Sequence, residues 1–213
     1  AEQSGAIVPL TWDVLTRAVE QQVAWRKSGL ALAVSVNISA LVLTSLDTAD
    51  AILALLEARG MEPRSLILEI TETERARYPA LARSLLMRLR EAGVGVSMDD
   101  YGVGYSDFGR LQYYPFSDLK MDRGLVARLP ASEEAMDIAL MLVSTAAREG
   151  VSLTAEGIET QEQWDFLEAI GCNYAQGFLI ARPMPADVVA GWIARMASDG
   201  RYWPAGASSA PRT

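Results

Sequence analysis

VGVSMDDYGVGYS, residues 94 to 106, sets two adjacent acids, Asp99 and Asp100, at the end of an apolar run and follows them with a loop punctuated by Gly102 and Gly104. It reads as a strand with polar residues at its carboxyl end, the glycines letting the chain turn away. Counting this run as GVGVSMD (93–99), six β-rich runs share the form; the others are AVSVNIS (33–39), SLILEIT (65–71), DLKMD (118–122), SLTAEG (152–157) and NYAQGFL (173–179). Segments of helical period separate them. A first helix covers Trp12 to Lys27; Thr48 or Asp50 caps one that stops at Gly60, and Pro79 opens one that ends at Gly93. Ser132 starts another, ending near Gly150; Thr160 and Gln163 have capping-box spacing before a helix that stops at Gly171; Pro185 opens the last, closing near Gly200.

Near-continuous apolar strands alternating with helices indicate a parallel sheet covered by helices, either an open doubly wound sheet or a (βα)8 barrel. What ends the strands bears on the choice: Asn37, Glu69, Asp99 with Asp100, Lys120, Glu156 and Gln176. A barrel gathers such ends at one mouth, whereas an open sheet spreads them along an edge, so their chemistry favours the barrel. A barrel of eight strands is short here by about two, which are expected upstream of Ala1. Residues 1–200 are read as one barrel domain and 201–213 as a flexible tail.

The net charge of -8 opposes binding to a long nucleic-acid backbone. Cys172 is the sole cysteine, which excludes an internal disulfide and fits a reducing compartment. No apolar run approaches the roughly 20 residues of a membrane span, so a cytoplasmic setting is expected, including that of the cytoplasmic part of a membrane-anchored parent.

Glu69, Asp99, Asp100 and Glu156 would bring four carboxylates into one mouth, and cations must offset them. The chain has no histidine, so oxygen ligands point to Mg2+ or Mn2+, and two ions would balance the four acids. Two metals about 4 Å apart serve in-line displacement at phosphorus. Asp99, central in the series, could face both ions; Glu156 could ligate one and accept a proton. Lys120 could orient a nucleophilic water or offset phosphate charge. Glu159 sits just ahead of the Thr160 cap and reads as orienting its neighbours, and Glu72 as holding a loop.

VSVNIS, LEITE, MDDYGVGYSDFGRL, DLKMDR, TAEGIET and AQGFLIARPM follow one another in the order and spacing of the EAL-domain family, the bacterial cyclic di-GMP phosphodiesterases, which the chain resembles from Ala1 to about Arg195. The resemblance implies a (βα)8 TIM-type barrel, modified in its first strand, that uses two Mg2+ or Mn2+ ions to open cyclic di-GMP to linear pGpG. It implies Asn37, Glu69 and Asp99 as ligands of one metal and Asp99, Asp100 and Glu156 of the other. It also implies Lys120 at the attacking water, Gln176 near water and substrate, Arg182 and Pro183 at the guanine, and Glu72 bracing the loop after Asp100. Homodimers and fusion to sensory or GGDEF-type domains are implied too. The Glu-Ala-Leu segment that names the family, with a further metal ligand, would lie upstream of Ala1. In the loop, Tyr101, Val103 and Asp107 replace the usual Phe, Thr and Ser. A catalytically impaired cyclic di-GMP receptor is therefore the alternative. A lyase or aldolase with Lys120 as Schiff-base former is a third reading, opposed by the carboxylates that would keep the amine protonated.

Overall fold

A computed structural model describes residues 7–39, 41–71, 78–101 and 108–198. Its elements are α1 (Ile7–Lys27), β1 (Val34–Asn37), α2 (Leu46–Arg59), β2 (Leu66–Thr71), α3 (Pro79–Glu91), β3 (Gly95–Tyr101), α4 (Phe108–Tyr113), β4 (Asp118–Met121), α5 (Arg123–Val126), α6 (Glu133–Glu149), β5 (Ser152–Glu156), α7 (Gln161–Ala169), β6 (Tyr174–Gln176) and α8 (Ala186–Ser198). Every strand pairing is parallel, in the order β1-β2-β3-β4-β5-β6. That order has no reversal, so it is the wall of a barrel; a doubly wound sheet reverses at its switch point. Among the described residues β1 and β6 are the wall's edges.

The strands are continuously apolar on one face and mainly polar on the other. Leu66, Leu68, Val96, Met98, Leu119, Met121, Leu153 and Ala155 are each 1% exposed or less and share a core with Leu85 and Leu89 of α3 and Ala139 and Leu142 of α6. Each large side chain so buried contributes roughly 1.5–3 kcal/mol. Between them, at the strand period of 2, stand Glu69, Ser97, Asp99, Asp118, Lys120, Ser152, Thr154 and Glu156. The outer face thus builds the core while the inner face carries the chemistry.

Several helix signals act as their residue types require. Ser132 caps α6, and Thr160 forms a full capping box with Gln163 at α7. The α2 cap is Ser45, not Thr48 or Asp50. The Thr48 hydroxyl donates instead to Val42 O at 3.1 Å, and Asp50 pairs with Arg88 of α3. α1 begins at Ile7, ahead of Trp12, and the short helices α4 and α5 have too few periodic residues to show in sequence. Cys172 is half-buried with its Sγ 3.3 Å from Leu153 O and Tyr174 O, and burial pushes its thiol up to about 11. Among the described residues no helix is long and apolar enough to cross a membrane. Glu72, Gly102, Val103, Gly104, Asp107 and the 201–213 tail lie outside the described residues.

Candidate active site

Lys120 is the centre of the strand-end cluster. Its Nζ lies 2.9 Å from Glu69 Oε2, 3.2 Å from Asp99 Oδ1 and 2.5 Å from Glu156 Oε1, joining β2, β3 and β5 across β4. Burial alone would lower the lysine's pKa, but hydrogen bonds and charge from Glu156 and Glu69 outweigh it and hold the ammonium above its ordinary range. A lysine so held is a fixed cation, which removes the Schiff-base reading.

Neighbouring strand residues point to opposite faces, so Asp99 and Asp100 could not both face the mouth in regular β structure. The backbone resolves this at the strand end. The β3–β4 register shifts between Met98 and Tyr101, and Asp100 takes a left-handed φ of 58°. Asp tolerates this conformation better than most residues, at a cost of about 1–2 kcal/mol. As a result, carboxylate oxygens of Asp99, Asp100 and Glu156 lie within 4.8 Å of one another. Burial and then the Asp99 and Asp122 charges raise the Asp100 pKa; burial raises that of Glu156 against the opposing pull of Lys120. The cluster is short of positive charge, and its all-oxygen donor set fits a hard divalent cation. Glu69 is outside that close trio, held by Lys120, with Asn37 beside it in register at the exposed end of β1.

A cavity of about 500 Å³ opens beside Glu156, lined by Arg123, Glu159, Gln176, Arg182, Pro183 and Trp192 among others. Two glycines let its walls approach. Gly157 sits at φ +73°, and a Cβ on Gly177 would lie 2.2 Å from Ile158 N. Gln176 pairs in register with Glu156, and the Arg182 guanidinium stacks 4.5 Å above the Phe178 ring. The backbone N–H groups of Glu159 and Thr160 donate to Gln163 Oε1 at 2.8 and 3.1 Å, so the cap holds Glu159 through its main chain.

The sequence reading missed two features. Phe178 and Trp192, which have no assigned role in the sequence, line the cavity. Asp118, with Ser97, Ser152 and Thr154, forms a hydrogen-bonded layer one step below the mouth. The available signal was that Ser97, Asp118 and Thr154 each stand two residues before Asp99, Lys120 and Glu156.

Residues 1–183 match the family described as EAL domain. The chain is 38% identical over 188 residues to the bifunctional diguanylate cyclase/cyclic di-GMP phosphodiesterase MucR of Pseudomonas aeruginosa, covering 88% of this chain and 27% of the relative. It thus spans little more than a quarter of that curated relative's length. The solved PaMucR phosphodiesterase–c-di-GMP complex matches with a TM-score of 0.81 and 37% identity, over 89% of this chain and 77% of that one. The Klebsiella pneumoniae BlrP1 manganese/cy-diGMP complex matches with a TM-score of 0.71 and 28% identity, over 79% of this chain and 43% of that one. With residues 1–183 matched and the barrel wall superposed, the chain belongs to the EAL domain family.

Proposed function

We propose that this domain hydrolyses cyclic di-GMP to linear pGpG with two divalent cations, Mg2+ or Mn2+. The observation that carries the reading is the convergence of Asp99, Asp100 and Glu156 within 4.8 Å, beside a lysine that also binds Glu69. Asn37, Glu69 and Asp99 would hold one ion; Asp99, Asp100 and Glu156 would hold the other. Bound cations of this kind acidify water and offset charge on a phosphate. Lys120, released from part of its ion-pair set as cations take up the carboxylates, keeps its proton and orients the attacking water from Nζ. Glu156 would receive the proton, burial having raised its pKa toward that task. The phosphodiester exchanges one P–O bond for a bond to water oxygen, leaving a terminal phosphate and a free ribose hydroxyl.

The cavity beside Glu156 suits one guanine, with Gln176 at its inner edge and Phe178, Arg182, Pro183 and Trp192 around the base. Glu72 is proposed to brace the loop after Asp100, and Glu159 to steady the cavity wall. The relatives' greater length supports fusion to sensory or GGDEF-type domains in a cytoplasmic signalling protein, and the domain is proposed to work as a homodimer. The loop substitutions Val103 and Asp107 support the second reading, a receptor that binds cyclic di-GMP without cleaving it. Mass spectrometry of cyclic di-GMP incubated with the protein separates the two. Product that requires Mn2+ and is abolished by chelation supports hydrolysis; binding with no product under the same conditions supports the receptor.

A further inference from the structure

Asp118 is a half-buried carboxylate that the proposed chemistry does not use. It accepts from Ser97 Oγ of β3 at 2.8 Å, from Ser152 Oγ of β5 at 2.7 Å, and from Thr154 Oγ1 of β5 at 3.0 and 3.2 Å. Both neighbouring strands are therefore tied to one side chain of β4. The period of 2 places Ser97, Asp118 and Thr154 on the same face as Asp99, Lys120 and Glu156, one step lower.

β3 pairs regularly with β2 up to Asp99, but its pairing with β4 is short at this height. Ser97 pairs with Asp118 and Met98 with Leu119, after which the register shifts before Tyr101. The Ser97–Asp118 bond stands at the start of the last regular stretch before that irregularity. On the other side, Asp118 pairs with Ser152 and Lys120 with Thr154, so the same carboxylate fixes β5 just below Glu156. Charge-assisted bonds of this kind are shorter and stronger than neutral ones.

We infer that Asp118 is a positioning residue, whose carboxylate clamps β3 and β5 to β4 so that Asp99, Lys120 and Glu156 meet at a fixed spacing. This role rests on the metal-dependent reading above. Partners one layer behind metal ligands typically alter metal affinity or activity by about 10- to 100-fold when removed. Asp118→Asn keeps the side chain's shape but exchanges one acceptor oxygen for a donor and removes the charge.

The test measures Mn2+ affinity by calorimetry, together with kcat and KM for cyclic di-GMP, on the folded protein well below its melting temperature. Asp118→Asn is expected to weaken Mn2+ binding and lower kcat by about 10- to 100-fold while leaving KM nearly unchanged. In a Ser97→Ala/Ser152→Ala/Thr154→Val background it should add little, because all three hydroxyl bonds of the clamp are already gone. A lower melting temperature with unchanged Mn2+ affinity and kcat would mean that Asp118 only stabilises the fold, and would overturn the inference. If Asp118→Asn does not fold, Ser97→Ala and Thr154→Val, each deleting one hydroxyl or exchanging it for a methyl, carry the same comparison. Wild-type protein that binds no Mn2+ would overturn the metal site itself, before any substitution is made, and this role with it.

Discussion

Replacing Lys120 with Met keeps an unbranched side chain one atom shorter and removes its charge from the middle of three carboxylates. The ammonium lies 2.9, 3.2 and 2.5 Å from Glu69, Asp99 and Glu156, and no side chain of the four is more than 15% exposed. At an effective dielectric near 20, charges about 4 Å apart interact by about 4 kcal/mol, and stranding the partner of a buried pair costs about 3–5 kcal/mol. Residual solvent access at Asp99 and Glu156 places the metal-free protein at the low end, about 3 kcal/mol, or roughly 6–12 °C in melting temperature. The sign with pH follows from the groups left behind. In the wild type the raised lysine pKa gives stability that is full below about 10.4 and lost as pH rises through the folded value. In the variant, repulsion among the three carboxylates penalises the folded state while they are ionised and fades as they protonate in acid. Melting curves at about pH 5 and about pH 8, each with and without Mn2+, read both effects. The expected deficit is large at the higher pH, smaller in acid, and largely repaired by Mn2+. A variant as stable as wild type at the higher pH, or a deficit indifferent to acid and to metal, would refute the charge reasoning.

Three further outcomes follow from the same geometry. Asp100 and Glu156 both keep their protons to higher pH than ordinary carboxyls, so Mn2+ affinity by calorimetry should still be rising above the usual carboxylate value near 4; an affinity flat from there to neutrality contradicts it. Asp100→Gly removes a left-handed backbone strain of about 1–2 kcal/mol and a like charge beside Asp99, so the melting temperature should hold or rise while Mn2+ binding weakens at least about 10-fold. Gly177→Ala forces a Cβ against the Ile158 backbone, which should cost about 1–3 kcal/mol in denaturant unfolding and raise KM for cyclic di-GMP by displacing the cavity wall.

The polar strand ends were legible in sequence because each stands at the carboxyl end of a largely apolar run, and parallel strands all deliver their carboxyl ends to one side. Glu69, Asp99, Lys120 and Glu156 meet for that reason alone. How adjacent Asp99 and Asp100 share a mouth was not legible, since it depends on a register shift and one left-handed residue that no hydrophobic pattern encodes. The α2 cap was misplaced because Ser45, Thr48 and Asp50 are all good capping types, and only the tertiary partners of Thr48 and Asp50 decide among them. The Asp118 layer went unread because a strand described as near-continuously apolar conceals its polar alternate face. The proposed substrate and the residues proposed around the guanine rest on family resemblance; from composition alone Gln176, Arg182 and Pro183 carry no such meaning.

Electron paramagnetic resonance of the Mn2+-loaded protein tests whether Asp99 is shared by the two proposed cations. Two Mn2+ per chain are expected, with the exchange-coupled spectrum of ions about 4 Å apart, collapsing to an uncoupled signal in Asp99→Asn. A single uncoupled Mn2+ in the wild type, or coupling that survives Asp99→Asn, would contradict it.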